Sequence, residues 1–309
     1  MLPILLKTLP FFAVIGTGFL AGRARFITPD ATVQLTRFVF YFALSAMLFG
    51  FAANLSLTEI FSLPFVLAYL SATTTVWALV FAVALARRAD REAALFEAHT
   101  GVIGNVGFLG IPMLALLLGP AAVGPVLLVL AVDLIVFSSV LTLLITLFRS
   151  GRVSFGTIRV LAVGLASNPM IVSTALGLAW GATGRSLWAP VAEFMMLLGA
   201  AATPCALFAI GASLAGRRPD RPLIAAWLSF AKLVLHPMAV ALAALWLFPV
   251  DPYAAGVMIA AAALPVAGNV FILAQAYGVA PQRVSTAILV STALSVLTVT
   301  AVIALLEKT

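Results

Sequence analysis

The stretch HTGVIGNVGFLGIPML, His99 to Leu114, decides how this chain is read. It is apolar enough for a buried helix, yet Gly101, Gly104, Gly107 and Gly110 recur every three residues and Pro112 follows them. Each glycine costs a helix about 1 kcal/mol relative to alanine, and a proline removes a hydrogen bond and crowds the preceding turn. Such a segment is helical at its flanks and interrupted within, with Gly104-Asn105 and Gly110-Ile111-Pro112 as the expected points of interruption. A likeness to glycine-rich nucleotide loops is superficial, because no strand precedes it and no βαβ context surrounds it.

The surrounding composition says where such a segment lives. Of 309 residues, 64% are hydrophobic and 9% charged, against roughly a quarter charged in an ordinary soluble domain. The mean hydropathy is +1.20, and no part of the chain has the mixed polarity of a water-exposed domain, so the protein is read as an integral membrane protein. The net charge of +7 does not point to nucleic acid, because the basic residues fall in short connections between apolar runs and report topology there. Cys205 is a lone thiol, so neither a disulfide framework nor a thiolate metal site is expected. The N-terminal run leads into a basic loop without a small-residue cleavage site and reads as a first span rather than a signal peptide.

Taking about 20 apolar residues per crossing, ten spans are expected. In the first half, residues 1–150, they cover Leu2 to Ala21, Thr32 to Leu55, Pro64 to Ala86, Ala93 to Leu118, and Ala121 to Phe148. In the second half, residues 151–309, they cover Ile158 to Ala182, Pro190 to Leu214, Leu223 to Leu247, Pro252 to Tyr277, and Val284 to Leu306. Arginines cluster in alternate connections: Arg23, Arg25 and Arg37; Arg87, Arg88 and Arg91; Arg149, Arg152 and Arg159; Arg217, Arg218 and Arg221; then Arg283. The positive-inside rule puts these connections in the cytoplasm and both termini outside.

The halves echo each other. SAMLFGFAANL (Ser45 to Leu55) lies over PCALFAIGASL (Pro204 to Leu214), and Gly104-Asn105-Val106 recurs as Gly268-Asn269-Val270. Both echoes are five spans apart, and a repeat of an odd number of spans inserts upside down, as inverted repeats of secondary transporters do. In the ninth span Leu264-Pro265 and Gly268-Asn269 offer the matching interruption. Broken helices persist in a bilayer only where protein or a water-filled cavity covers the break. Two breaks meeting at mid-membrane bring half-helix N-termini and two asparagine amides together, a setting for a carboxylate that leaves no stranded ion when emptied.

In order along the chain, GNVGFLGIPML (from Gly104), SNPMIVSTALGL (from Ser167), TPCALFAIGASLAG (from Thr203) and LPVAGNVFILAQAYG (from Leu264) resemble the auxin efflux carrier family of bacterial and plant transporters, across essentially the whole chain. The resemblance implies an all-α membrane fold of ten helices in two inverted five-helix repeats, with the fourth and ninth crossing as broken helices. It implies a scaffold of helices 1, 2, 6 and 7, a transport domain of helices 3–5 and 8–10, elevator-type transport, and organic anion substrates such as auxin, malate or malonate. Carried onto this chain, the substrate-binding positions are Gly104, Asn105, Gly107, Pro112, Pro265, Gly268 and Asn269. Ser45 stands where many members have a proline in helix 2, which leaves that helix's bend open, and the long cytoplasmic loop of many plant members is absent. A compact bacterial, inner-membrane member is implied; the scaffold surface often dimerises in such folds, and a homodimer through the scaffold is left open.

Among the remaining polar residues, Asp133 in the fifth span is the most buried-looking acid, either a proton or sodium carrier or a hydrogen-bonded structural acid. Lys232 and His236 are four apart and share a helix face; they form an anion-attracting or proton-relaying pair, or else the lysine snorkels toward the cytoplasm while the histidine caps a kink before Pro237. His99 reads as a hydrogen-bonded packing residue and Glu193 as solvated. Asn54 and Ser213 touch substrate only where their helix ends line a vestibule. No nucleophile, base or metal cluster suggests an enzyme, and no cofactor is expected. The leading function is an organic anion transporter, secondary active or facilitative, with proton or sodium coupling open; a sodium-coupled symporter of the bile-acid type is the alternative.

Overall fold

The computed structural model describes residues 2–55, 61–152, 154–216 and 220–306. Its helices are α1 (Leu2–Arg23), α2 (Pro29–Ala52), α3 (Leu63–Ala86), α4 (Arg91–Thr100), α5 (Val106–Leu118), α6 (Pro120–Ser150) and α7 (Phe155–Ala166). There follow α8 (Pro169–Gly181), α9 (Ala189–Ala215), α10 (Pro222–Leu247), α11 (Pro252–Ala262), α12 (Gly268–Tyr277) and α13 (Pro281–Leu306). Among the described residues the β-structure is a single isolated bridge. Seven helices, α1, α2, α3, α6, α9, α10 and α13, are long and apolar enough to cross a membrane. The pair α7 and α8 makes an eighth when taken as one bent span.

Helix starts follow local chemistry. Thr28, Ser62, Asp90, Ser154, Asn168 and Asp251 each accept a backbone N–H of the first turn that follows, which satisfies donors that a helix start leaves over. The sixth span, read above as one run, is two helices meeting at 64°. Pro169 lacks an N–H and holds Asn168 out of the helical region, at φ −76° and ψ 114°; the Asn168 side chain then starts α8 by accepting from Met170 N at 3.0 Å.

Several spans are not uniform α-helix. α2 passes through a π turn at Val39–Ala43, and the Ser45 hydroxyl bonds back to the Phe40 carbonyl at 3.2 Å. The irregularity that a proline would impose on this helix is thus present without one. Two further π turns, Val132–Phe137 in α6 and Ala231–Leu235 in α10, contain Asp133 and Lys232. Such turns widen a helix locally and re-aim side chains.

Small residues let some helices touch through their backbones. α1 lies along α9, where a Cβ added at Gly211 would collide with the Ile15 carbonyl and one at Gly18 with the Phe208 carbonyl. α2 packs on α8 the same way, Gly177 facing the Phe49 carbonyl. Close approach through small residues is how membrane helices gain packing energy where lipid removes the hydrophobic drive. Elsewhere α10 packs against α3, α11 and α13. Outward-facing apolar side chains such as Leu197, Leu223, Phe155 and Trp246 match a surface solvated by hydrocarbon.

Candidate functional site

The two interruptions lie against each other. α4 ends at Thr100 and α5 begins at Val106; α11 ends at Ala262 and α12 begins at Gly268. Between them Gly104 and Val266 form an antiparallel bridge, Asn105 N donates to the Pro265 carbonyl at 2.8 Å, and Ala267 N donates to the Ile103 carbonyl at 3.1 Å. Val266 N finds the Ser291 hydroxyl of α13 at 3.1 Å. These groups are buried: Ile103 and Val266 are each 1% exposed. An unpaired backbone group here costs several kcal/mol, and each break supplies the other's partners. Pro265 suits the arrangement because its carbonyl is needed and an N–H at that position is not.

The glycines serve this contact differently from one another. At Gly104 a Cβ would sit 3.2 Å from Lys232 Nζ and 3.5 Å from the Ala261 carbonyl; at Gly110 it would press to 2.6 Å on Leu264, and at Gly107 to 2.6 Å on Met170 of α8. The interruption itself is confined to residues 101–105. Gly110 lies within the π turn Val106–Gly110, and Pro112 sits in the first α-helical turn after it, where its missing N–H is harmless. Of the two expected break points, Gly104-Asn105 falls inside the interruption, whereas Gly110 to Pro112 is helical and is corrected. Pro112 is not part of the paired segments.

Both half-helices that start at the crossing lack the side-chain caps found at so many other helix starts. Asn105 stands at the N-cap of α5 and Ala267 at that of α12, and neither side chain accepts a first-turn N–H. The Asn269 side-chain oxygen is buried without a hydrogen-bond partner, and Asn105 is 5% exposed. The crossing thus presents open helix N-termini and two amides, groups suited to a carboxylate.

Behind the crossing lies a buried polar cluster from three helices. Tyr69 of α3 donates to Asp133 Oδ1 of α6 at 2.9 Å, while Asp133 Oδ2 has no partner. Thr73 Oγ1 is 3.0 Å from His236 Nε2, and Lys232 Nζ is 3.3 Å from His236 Nδ1 and donates to the Ala262 carbonyl, the last of α11 before its break. Lys232 does not snorkel: it is fully buried, and His236 caps no kink but spans from Lys232 to Thr73. The pairing of Lys232 and His236 on one face follows from their spacing. The roles of Tyr69 and Thr73 left no mark in the sequence, since an isolated hydroxyl in an apolar helix is common.

A second cluster sits at the arginine-rich ends. Glu97 of α4, 1% exposed, is held by Arg87 and by Arg283 Nη1 at 2.5 Å. Glu92 binds Arg149 through two bonds, at 3.0 and 2.6 Å, and Arg149 also reaches the Tyr277 carbonyl. Sequence reasoning passed over Glu97, although an acid inside an apolar span was the available signal. His99, expected to be hydrogen-bonded, is fully buried with both ring nitrogens unpartnered. Glu193 is exposed. Among the described residues no group of His, Cys, Asp and Glu side chains is arranged to hold a metal.

A helical membrane body with two mutually paired helix breaks and open half-helix termini defines a membrane carrier. Residues 3–303 match the family described as membrane transport protein, and the chain belongs to this family, the auxin efflux carriers. It is 33% identical over 303 residues to "Putative malonate transporter" of Rhizobium meliloti (strain 1021), covering 97% of this chain and 95% of that one. The protein is a multi-pass membrane transporter and not an enzyme.

Proposed function

We propose that the protein is a secondary active or facilitative transporter of small organic anions, with a short dicarboxylate of the malonate kind as its substrate. The observation that carries this reading is the crossing: paired breaks whose two outgoing helices start uncapped beside Asn105 and Asn269. The similarity to a relative named for malonate supports the substrate class. Gly104, Pro265 and Gly268 shape the backbone of this site; Gly107 and Pro112 lie within α5, where Gly107 faces Met170 of α8.

In this reading α4 with α5 and α11 with α12 are the fourth and ninth of ten spans, and residues 1–150 and 151–309 are inverted repeats. α1, α2, α7, α8 and α9 form the scaffold, and the other helices a transport domain that slides against it as an elevator. The backbone contacts of α1 with α9 and of α2 with α8 support a rigid scaffold. The surface of that scaffold is where two copies meet. Alternating arginines support insertion in a bacterial inner membrane with both termini outside. Asp133, with one carboxylate oxygen free, and His236 are the groups that couple transport to a cation, a proton in our reading.

The test is ligand-dependent thermal stability of the purified protein across a panel of carboxylates. Malonate raises the Tm of the wild type and not that of Asn105→Ala or Asn269→Ala; equal stabilisation of all three removes the asparagines from the site. Uptake into proteoliposomes under imposed gradients separates the coupling ions. Malonate uptake driven by a sodium gradient and indifferent to pH would replace the proton reading with that of a bile-acid-type symporter.

A further inference from the structure

α13 carries a series of hydroxyls that are nearly all engaged. Ser291 bonds the Ile288 carbonyl and accepts from Val266 N, Ser295 bonds the Thr292 carbonyl, and Thr286 bonds the Gln282 carbonyl and accepts from Asp220 N. A serine or threonine inside a helix ordinarily turns back to a carbonyl of its own preceding turn. Ser285 does not: it is 3% exposed and its hydroxyl has no partner. It lines a small, partly open space of about 40 Å³ together with Gly268, Phe271, Ile288, Ile210 and Ser213.

This space is placed for a ligand. Gly268 is the first residue of α12, the ten-residue half-helix that leaves the crossing, and its N-cap Ala267 offers no side-chain oxygen. The cavity therefore has an uncapped helix start on one side and an unsatisfied hydroxyl on another. Phe271, Ile288 and Ile210 make the rest of the lining largely apolar, which strengthens any hydrogen bond formed within it. The far wall, Ile210 and Ser213, belongs to α9, so a movement of α12 and α13 past α9 changes the width of the space. Ser213, which touches substrate only if the end of its helix borders a vestibule, lines this space.

We infer that Ser285 and the first turn of α12 form a carboxylate subsite beside the crossing, in which the Ser285 hydroxyl donates to a carboxylate oxygen of the transported anion. The inference rests on the anion-transport reading above and adds to it a residue on α13 that binds substrate directly. A hydroxyl is an apt donor here: it contributes directional binding without adding a fixed charge that would hold the anion in place.

The experiment compares Ser285→Thr with Ser285→Val, side chains of nearly equal size that differ in the hydroxyl, using malonate as the probe. Affinity is read by titration of the purified protein, and KM and maximal rate by uptake into proteoliposomes. Ser285→Thr keeps affinity near that of the wild type, and Ser285→Val loses about ten-fold or more, as removal of one hydrogen bond to a charged group does. The loss falls on KM with ligand-free Tm alike in the two variants. Equal malonate affinity in Thr and Val variants overturns the inference and leaves the space to a bound water, with the transport reading intact if the Asn105→Ala variant still loses binding. Should the wild type bind no carboxylate at all, both readings fall together.

Discussion

Asn105 donates its backbone N–H to the carbonyl of Pro265 at 2.8 Å, joining two segments from opposite halves of the chain inside a body otherwise made of helices. With the return bond from Ala267 N to Ile103, it turns two helix failures into one short antiparallel contact. The two helices that start beside this contact have no side-chain caps.

The contact has little room around it. Gly104→Ala places a methyl 3.2 Å from the end of Lys232, a flexible tip that can give way. Gly104→Val reaches further, toward the Ala261 carbonyl, and separates α11 from the crossing. Overpacking of this sort costs about 1–3 kcal/mol. We expect Gly104→Val to lower Tm and abolish malonate stabilisation, with Gly104→Ala retaining the fold; a Val variant that binds malonate normally contradicts the described geometry.

Asp133 and Lys232 are both buried in π turns and carry opposite formal charge. Where two buried groups of opposite charge compensate each other, removing one leaves the other uncompensated and replacing both is milder. Asp133→Asn and Lys232→Met are each expected to destabilise strongly, and the double variant to be more stable than either. A double-mutant cycle on chemical denaturation midpoints reads this coupling directly; additive effects would show that the two groups act independently. Proton-gradient-driven uptake is lost in all three.

Glu97 has two arginine partners of unequal burial. Arg283 is 11% exposed and Arg87 35%, and exposed ion pairs are weakened by water and side-chain entropy. Arg283→Ala should therefore lower Tm more than Arg87→Ala, and Glu97→Gln more than either, because it strands two cations. The reverse order for the arginines would mean that burial does not govern this cluster.

At Gly211 the α1 backbone leaves no space for a side chain, since a Cβ would overlap the Ile15 carbonyl. Gly211→Val must push α1 from α9. A large fall in Tm is expected there, against almost none for Gly164→Ala, where an added Cβ meets nothing. Similar Tm values for the two variants would show that α1 and α9 are not in backbone contact.

Residues 99–114 illustrate how far local reading goes. Glycine spacing announces that a helix fails there, and the repeated Gly-Asn-Val announces a counterpart at Gly268 to Val270. Gly104-Asn105 lies in the break, while Pro112 does not: a proline harms a helix interior and fits a first turn, and the sequence does not show which of the two it occupies. Likewise Ser167-Asn168-Pro169 was read through as continuous, although its cap and proline were both legible as a helix start.

What the chain decides alone is the solvent it needs: with 9% charged residues it has no stable home in water. Glycine and proline also decide locally that two segments cannot be helical throughout, since backbone propensity acts within a few residues. Only the folded arrangement decides that those segments satisfy each other's peptide groups, that Lys232 turns inward to the end of α11, and that Ser285 is left without a partner. These depend on contacts between residues far apart in sequence, where desolvation makes every unpaired group costly and the packing of whole helices, not local preference, selects the partner.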